Sequence, residues 1–235
     1  MAVSFLFLLL LSFLWLLTVV FGLYFLCVLC FDCVSCVFIN KVMIVYLIRH
    51  TRLKVIPDLC YGQSEMELLD WHFERTVKRL KKQVLLLPRD TIYSSPLKRC
   101  VILAKALSKG PCRVKVDHRL MELNFGQWEM QDWNNIDDQQ MLKWSEDMVN
   151  GQLPGGESYA QLYQRAGDFW QFLLQMNHEQ TAVCTHGGII KALLAHILEI
   201  PIGKSLGIQL HYGETIRIES KHRMPFLVEF LPSNT

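Results

Sequence analysis

MIVYLIRHT, residues 43–51, is the stretch from which the fold is read. Met43 to Ile48 form a short unbroken apolar run, which reads as a buried strand. The run ends on Arg49 and His50. A cation and an imidazole at the end of a core strand are costly to bury without a partner. Both the architecture and the chemistry of the chain follow from asking what that partner is.

Outward from this strand the pattern alternates. An irregular loop reaches about residue 65, and a charged amphipathic helix is expected over 68–84. DTIYSS (90–95) reads as a second strand. A helix follows from Pro96 to about Leu107, with Pro suiting the first turn. CRVKVD (112–117) is a third strand. Residues 119–150 are mixed and Trp-rich, with one helix near 137–148. PGGES turns into a long helix over 157–176, on which Leu162, Ala166, Phe169, Trp170 and Leu173 form a stripe. TAVCTH (181–186) is a fourth strand, and an apolar helix begins at Gly187. Two last strands, near 214–219 and 225–231, flank a turn. Alternating β and α elements predict an α/β fold with a mostly parallel sheet covered on both faces, a three-layer α/β/α arrangement.

Composition bounds the function. The chain has 235 residues and a net charge of +2, which argues against a nucleic-acid or other polyanion binder. Charge is unevenly spread: among residues 1–42 only Asp32 and Lys41 are charged. Ala2 to Phe31 is long enough to span a membrane and lacks the basic n-region of a cleaved signal. Lys41, Arg49, Arg52 and Lys54 follow it. By the positive-inside rule the domain at 43–235 would then face the cytoplasm, and any membrane contact would run through residues 1–42 alone. An equal reading is a start assigned too early, with Met43 opening the first strand. Cys27, Cys30, Cys33 and Cys36 repeat every third position and read as thiols on one face of an apolar helix. Cys60, Cys100, Cys112 and Cys184 have no metal-ligand spacing and read as reduced thiols.

In a parallel sheet, function gathers at the carboxyl ends of strands. Three ends here carry groups of one kind: Arg49-His50, then Arg99 one turn into the helix after SSPLKR, then His186-Gly187 in VCTHGG. Singly, a strand-end His is most often structural and a lone Arg solvated. Together, two Arg, two His and a helix N-terminus make an electropositive pocket suited to phosphate. An imidazole is also a competent nucleophile toward phosphorus.

LIRHT, SSPLKR, LMELNFGQWE, PGGES and VCTHGG, in this order over residues 43 to about 220, resemble the histidine phosphatase superfamily in its phosphoglycerate-mutase-like branch. Within it, CYGQS and ELNFGQWEM are most similar to the α-ribazole phosphatases. The resemblance implies a phosphoglycerate-mutase-like fold and a metal-independent phosphomonoesterase with no cofactor and a small phosphorylated substrate. That substrate would be α-ribazole 5′-phosphate in cobalamin assembly. It implies His50 as nucleophile, its ring held by a backbone carbonyl, and Arg49, Arg99, His186 and Gly187 around the phosphate. Glu122 would be the proton donor, in partly apolar surroundings, and Tyr61, Gly62, Gln63 and Ser64 a substrate wall.

The chain departs from the family pattern at Thr51-Arg52 and at Ile56, where an Asn commonly stands. Thr51 requires a negative φ. Ser64, Gln63 or the Gly62 amide is expected to replace the missing donor, and Arg52 to add charge or face water. A sugar phosphate, a nucleotide or phosphoglycerate mutation are alternative activities, although residues 123–185 leave little room for a lid. A non-catalytic phosphate-binding scaffold is the alternative of another class. Oligomeric state is open.

Overall fold

The computed structural model describes residues 42–87, 90–109, 113–176, 178–220 and 226–233. The expectations for residues 1–42 and for Cys112 lie outside these, apart from Val42. Among the described residues no helix is long and apolar enough to cross a membrane.

One six-stranded sheet organises the described chain. Its strands are β1 (Ile44–Arg49), β2 (Thr91–Ser94), β3 (Arg113–Val116), β4 (Gln180–Thr185), β5 (Thr215–Glu219) and β6 (Leu227–Leu231), in the order β3-β2-β4-β1-β5-β6. The first four are mutually parallel; β5 runs antiparallel to β1, and β6 to β5. The sheet is therefore mixed, with a parallel centre and an antiparallel edge. The helices are α1 (Asp70–Gln83), α2 (Lys98–Leu107), α3 (Asp138–Glu146), α4 (Tyr159–Gln175), α5 (Gly187–Ile197) and the single turn α6 (Ile202–Ser205).

Two apolar clusters, one on each face of the sheet, hold the layers together. Val45 and Leu47 of β1, Val183 of β4 and Ile216 of β5 pack with Leu162, Phe169 and Leu173 of α4 and Ile190 and Leu194 of α5. Tyr46, Ile48, Ala182 and Cys184 face the other way, toward Val77 and Leu80 of α1 and Leu103 and Leu107 of α2. Successive strand side chains point to opposite faces, so burial on both faces requires the unbroken apolar run seen at 43–48. Ser158 starts α4 with a capping box: its hydroxyl accepts from the Gln161 amide, and the Gln161 side chain accepts from the Ser158 amide.

Residues 118–135 form three short 3₁₀ turns, His118–Leu120, Gly126–Trp128 and Trp133–Asn135. Neither the strand nor the helix period appears there because the side chains pack as rings. Trp128, Trp133 and Trp144 contact one another at centroid distances of 5.7–6.5 Å.

Candidate active site

β2, β4 and β1 are adjacent, and their carboxyl ends sit level: Arg49 pairs with Thr185, and Ser94 with Cys184. The backbone ladder continues one step past each end. The His50 amide donates to the Thr185 carbonyl (2.9 Å) and the Ser95 amide to that of Cys184 (3.0 Å). Arg49, His50, His186 and the start of α2 are thereby delivered to one edge by the same strands that form the core.

His50 is buried, and its Nδ1 lies 2.9 Å from the Thr51 carbonyl. A carbonyl only accepts, so Nδ1 carries the proton and Nε2 presents a lone pair. Burial holds this imidazole well below its ordinary pKa, and the Arg99 and Arg49 charges push the same way. It is neutral at physiological pH. Thr51, also buried, is not among the residues of positive φ, so the side chain at this position is accommodated as required. Its Oγ1 has no hydrogen-bond partner among the described residues.

His186 caps α5 and is completely buried. Arg99 Nε donates to its Nδ1 (3.3 Å), which makes Nε2 the protonated nitrogen, 2.8 Å from Ser95 Oγ. Burial, then His50, Arg99, Arg49 and Arg165, hold its pKa well below the usual value. The His50 and His186 rings meet edge-on at 5.1 Å.

The two arginines are anchored differently. Arg49 donates through Nη1 to the Leu210 carbonyl and lies 4.2 Å from the centre of the Tyr212 ring. Its Nε is buried with no partner among the described residues. A buried guanidinium donor left open is uncommon, and a phosphate oxygen is the group that suits it. Gly187, the first residue of α5, lies against this guanidinium: a Cβ there would sit 3.5 Å from Arg49 Cζ. Arg99, which resembles a surface helix residue in sequence, is fully buried. It donates to the carbonyls of Ser64 (2.7 Å) and Gly62, so it also fixes the loop at 61–64.

That loop is held more tightly than its sequence suggests. Glu129 accepts from the amides of Gln63 (2.8 Å) and Ser64 (2.7 Å) and from the Ser64 hydroxyl. Gln63 Nε2 donates to the Glu122 carbonyl (2.9 Å). Ser64 and the Gln63 side chain thus both have protein partners. Ile56 itself is 65% exposed. A Cβ at Gly62 would fall 2.0 Å from the Leu123 carbonyl oxygen, so only glycine fits that contact. The Tyr61 hydroxyl meets that of Tyr212 at 2.5 Å, and the Tyr212 ring lies 5.6 Å from His50.

Glu122 is half-buried. Its carboxylate accepts from the amides of Leu123 and Gly188, both at 3.0 Å, which ties it to the start of α5. A Cβ at Gly188 would meet Glu122 Oε1 at 2.3 Å. Arg165 of α4 supports the same segment: it pairs with Glu157 and donates to the carbonyls of Arg119, Met121 and Glu122. Tyr212 and Arg165 carry no motif in the sequence, and Glu129 ends the LMELNFGQWE string without its contact to residues 63–64 being written there. Each lies far along the chain from the residue it supports, and only the glycines at 62 and 188 hint at close approach.

Two neutral imidazoles and two guanidiniums thus stand together at the parallel strand ends of an α/β sheet. The profile of the histidine phosphatase superfamily (branch 1) matches residues 45–231, and the chain belongs to that family. Phosphoserine phosphatase 1 of Hydrogenobacter thermophilus is 27% identical over 139 residues, covering 54% of this chain and 66% of that protein. The crystal structure of α-ribazole phosphatase from Shigella flexneri superposes with a TM-score of 0.73 at 22% identity, over 81% of this chain and 96% of that one. A mycobacterial glucosyl-3-phosphoglycerate phosphatase gives 0.68 at 20% identity, over 81% and 98%. These structures share the phosphoglycerate-mutase-like fold.

Proposed function

We propose that the chain is a metal-independent phosphomonoesterase working through a phosphohistidine at His50. The observation that carries this reading is the His50 Nδ1 to Thr51 carbonyl bond, which leaves Nε2 as a neutral nucleophile among cations. The Nε2 lone pair attacks phosphorus as the ester P–O bond breaks. Arg49, Arg99 and the Gly187 amide hold the three equatorial oxygens, and His186 joins them as its Nε2–H turns from Ser95 Oγ to the charge building on phosphorus, since this chemistry needs positioning and charge above all. Arg99 keeps two N–H groups free after its three protein contacts. The Glu122 carboxyl protonates the leaving oxygen. In the second step Glu122 takes a proton from water, water oxygen attacks phosphorus, and the P–N bond breaks to regenerate His50. Tyr61 and Tyr212 form the wall over the pocket.

The first substrate to test is α-ribazole 5′-phosphate, on the strength of the CYGQS and ELNFGQWEM strings and the shared fold. The test is hydrolysis by the full-length chain of a panel holding α-ribazole 5′-phosphate, phosphoserine, sugar phosphates, nucleotides and p-nitrophenyl phosphate, with and without EDTA. Hydrolysis is expected to survive EDTA unchanged. Loss in EDTA restored by Mg²⁺ would contradict the mechanism.

A further inference from the structure

Beside the catalytic pocket lies a second concave site, a groove of about 520 Å³ along α1. Five cations line it, Arg52, Arg75, Lys78, Arg79 and Lys82, and among the described residues no Asp or Glu does. Arg52, Arg75, Lys78 and Lys82 form no ion pair among the described residues. Of the nearby acids, Asp70 pairs with Lys54, Glu214 accepts from the His211 amide and offsets part of the charge of Arg79, and Glu74 forms no ion pair among the described residues. Arg79 is fixed in place by the carbonyls of Gly213 (2.7 Å) and Pro232 (3.0 Å). The field of these groups is felt locally. His72, in the same wall, is held below its ordinary pKa by burial and then by Arg52, Arg79 and Arg75.

The groove adjoins the catalytic pocket, with Tyr212 as the shared wall. Tyr212 lines it and also covers Arg49 and neighbours His50. Arg52 stands two residues after His50. Trp71, Arg75, Lys78 and Lys82 recur at helical spacing on one face of α1, and at 1.5 Å per residue they span about 16 Å away from that mouth.

We propose, building on the phosphatase reading, that this groove binds a second anionic group, a phosphate or carboxylate, on the leaving-group side of the substrate. Unpaired cations in a concave wall that opens beside the nucleophile bind anions, and a molecule whose ester phosphate sits at His50 reaches the groove only with its leaving group. A preference follows. A substrate whose alcohol carries an anion is bound more tightly than α-ribazole 5′-phosphate, whose leaving nucleoside has none.

The test uses the full-length chain and three matched substrates: hexyl phosphate, the same chain ending in a carboxylate, and the same chain ending in a second phosphate. p-Nitrophenyl phosphate is the reference. The KM of the two anionic chains is expected to be roughly tenfold below that of hexyl phosphate at low salt, with the gap closing as ionic strength rises. The triple variant Arg75→Gln/Lys78→Gln/Lys82→Gln should erase the gap with kcat unchanged, the pattern of lost uniform binding, and leave p-nitrophenyl phosphate unaffected. Arg75→Lys should retain the gap. Equal KM values for the three chains, with p-nitrophenyl phosphate still hydrolysed, overturn this inference alone. So does a triple variant that loses binding to phosphatidylserine vesicles without any change in KM, which would make the groove a membrane contact. No hydrolysis of any substrate overturns the phosphatase reading and this one with it.

Discussion

The catalytic pocket and the α1 groove are both rich in cations, yet they treat charge in opposite ways. In the pocket, Arg99 is buried and spends its nitrogens on two carbonyls and an imidazole, while Arg49 is held by a carbonyl and a tyrosine face. In the groove, Arg75, Lys78 and Lys82 are exposed and have no carboxylate partners among the described residues. A buried charge costs several kcal/mol unless its hydrogen bonds are met, so the pocket is built to fixed geometry. An exposed charge is screened and adaptable. On the proposed reading, the pocket governs the chemical step and the groove governs which molecules are preferred.

Substitutions in the pocket should act on kcat, in order of closeness to the reacting atoms. His50→Ala removes the nucleophile and should cost roughly 10⁴-fold or more in kcat on every substrate while circular dichroism stays native. Retained turnover would break the contrast at once. Glu122→Gln keeps the two amide contacts but cannot donate a proton. It should lose about 10²–10⁴-fold on an alkyl phosphate and far less on p-nitrophenyl phosphate, whose leaving group needs no acid. An equal loss on both would make Glu122 a loop support. Glu129→Gln weakens the clamp on residues 63–64 and, through them, the carbonyls that position Arg99. It should lower kcat/KM by roughly 10- to 100-fold on all substrates alike, because sub-ångström misplacement is enough to slow a positioned reaction.

The smallest effect concerns stability. Burial depresses the pKa of His50 in the folded chain, whereas the unfolded chain titrates near about 6.5. Below that pH the unfolded state gains a proton that the folded state refuses, so stability falls as pH falls and is unaffected above it. Thermal melts from pH 7.5 to 5.5 should show a steeper decline for the wild type than for His50→Gln. Parallel declines would mean that His50 charges freely in the folded state.

Much of this was legible in the sequence because local and global signals coincide. The apolar run before Arg49-His50 could only be a doubly buried strand, and β1 sits at the centre of the sheet. Arg49 ends β1 and His50, Arg99 and His186 each come after a strand end, so a linear motif and a spatial cluster are the same thing. Arg99 was legible only through SSPLKR, since helical position alone describes a surface residue. Tyr212 and Arg165 were not legible, and neither was the contact made by Glu129, although that residue ends the LMELNFGQWE string. Tyr212 contacts Tyr61 across 151 positions and Glu129 grips Ser64 across 65, and no short-range period records such contacts. The clamp on Ser64 and Gln63 was hidden for the same reason: Glu129, which engages them, lies in the irregular Trp-rich segment. The α1 groove was hidden in an amphipathic pattern that also describes an ordinary solvated helix face.

The central claim is that His50 itself takes up the phosphoryl group. The most direct measurement is rapid quenching of the full-length chain with labelled p-nitrophenyl phosphate, followed by peptide mapping. The account predicts a label that is acid-labile and alkali-stable, carried on the peptide containing His50. A label on His186, or an acid-stable label on any residue, would contradict it.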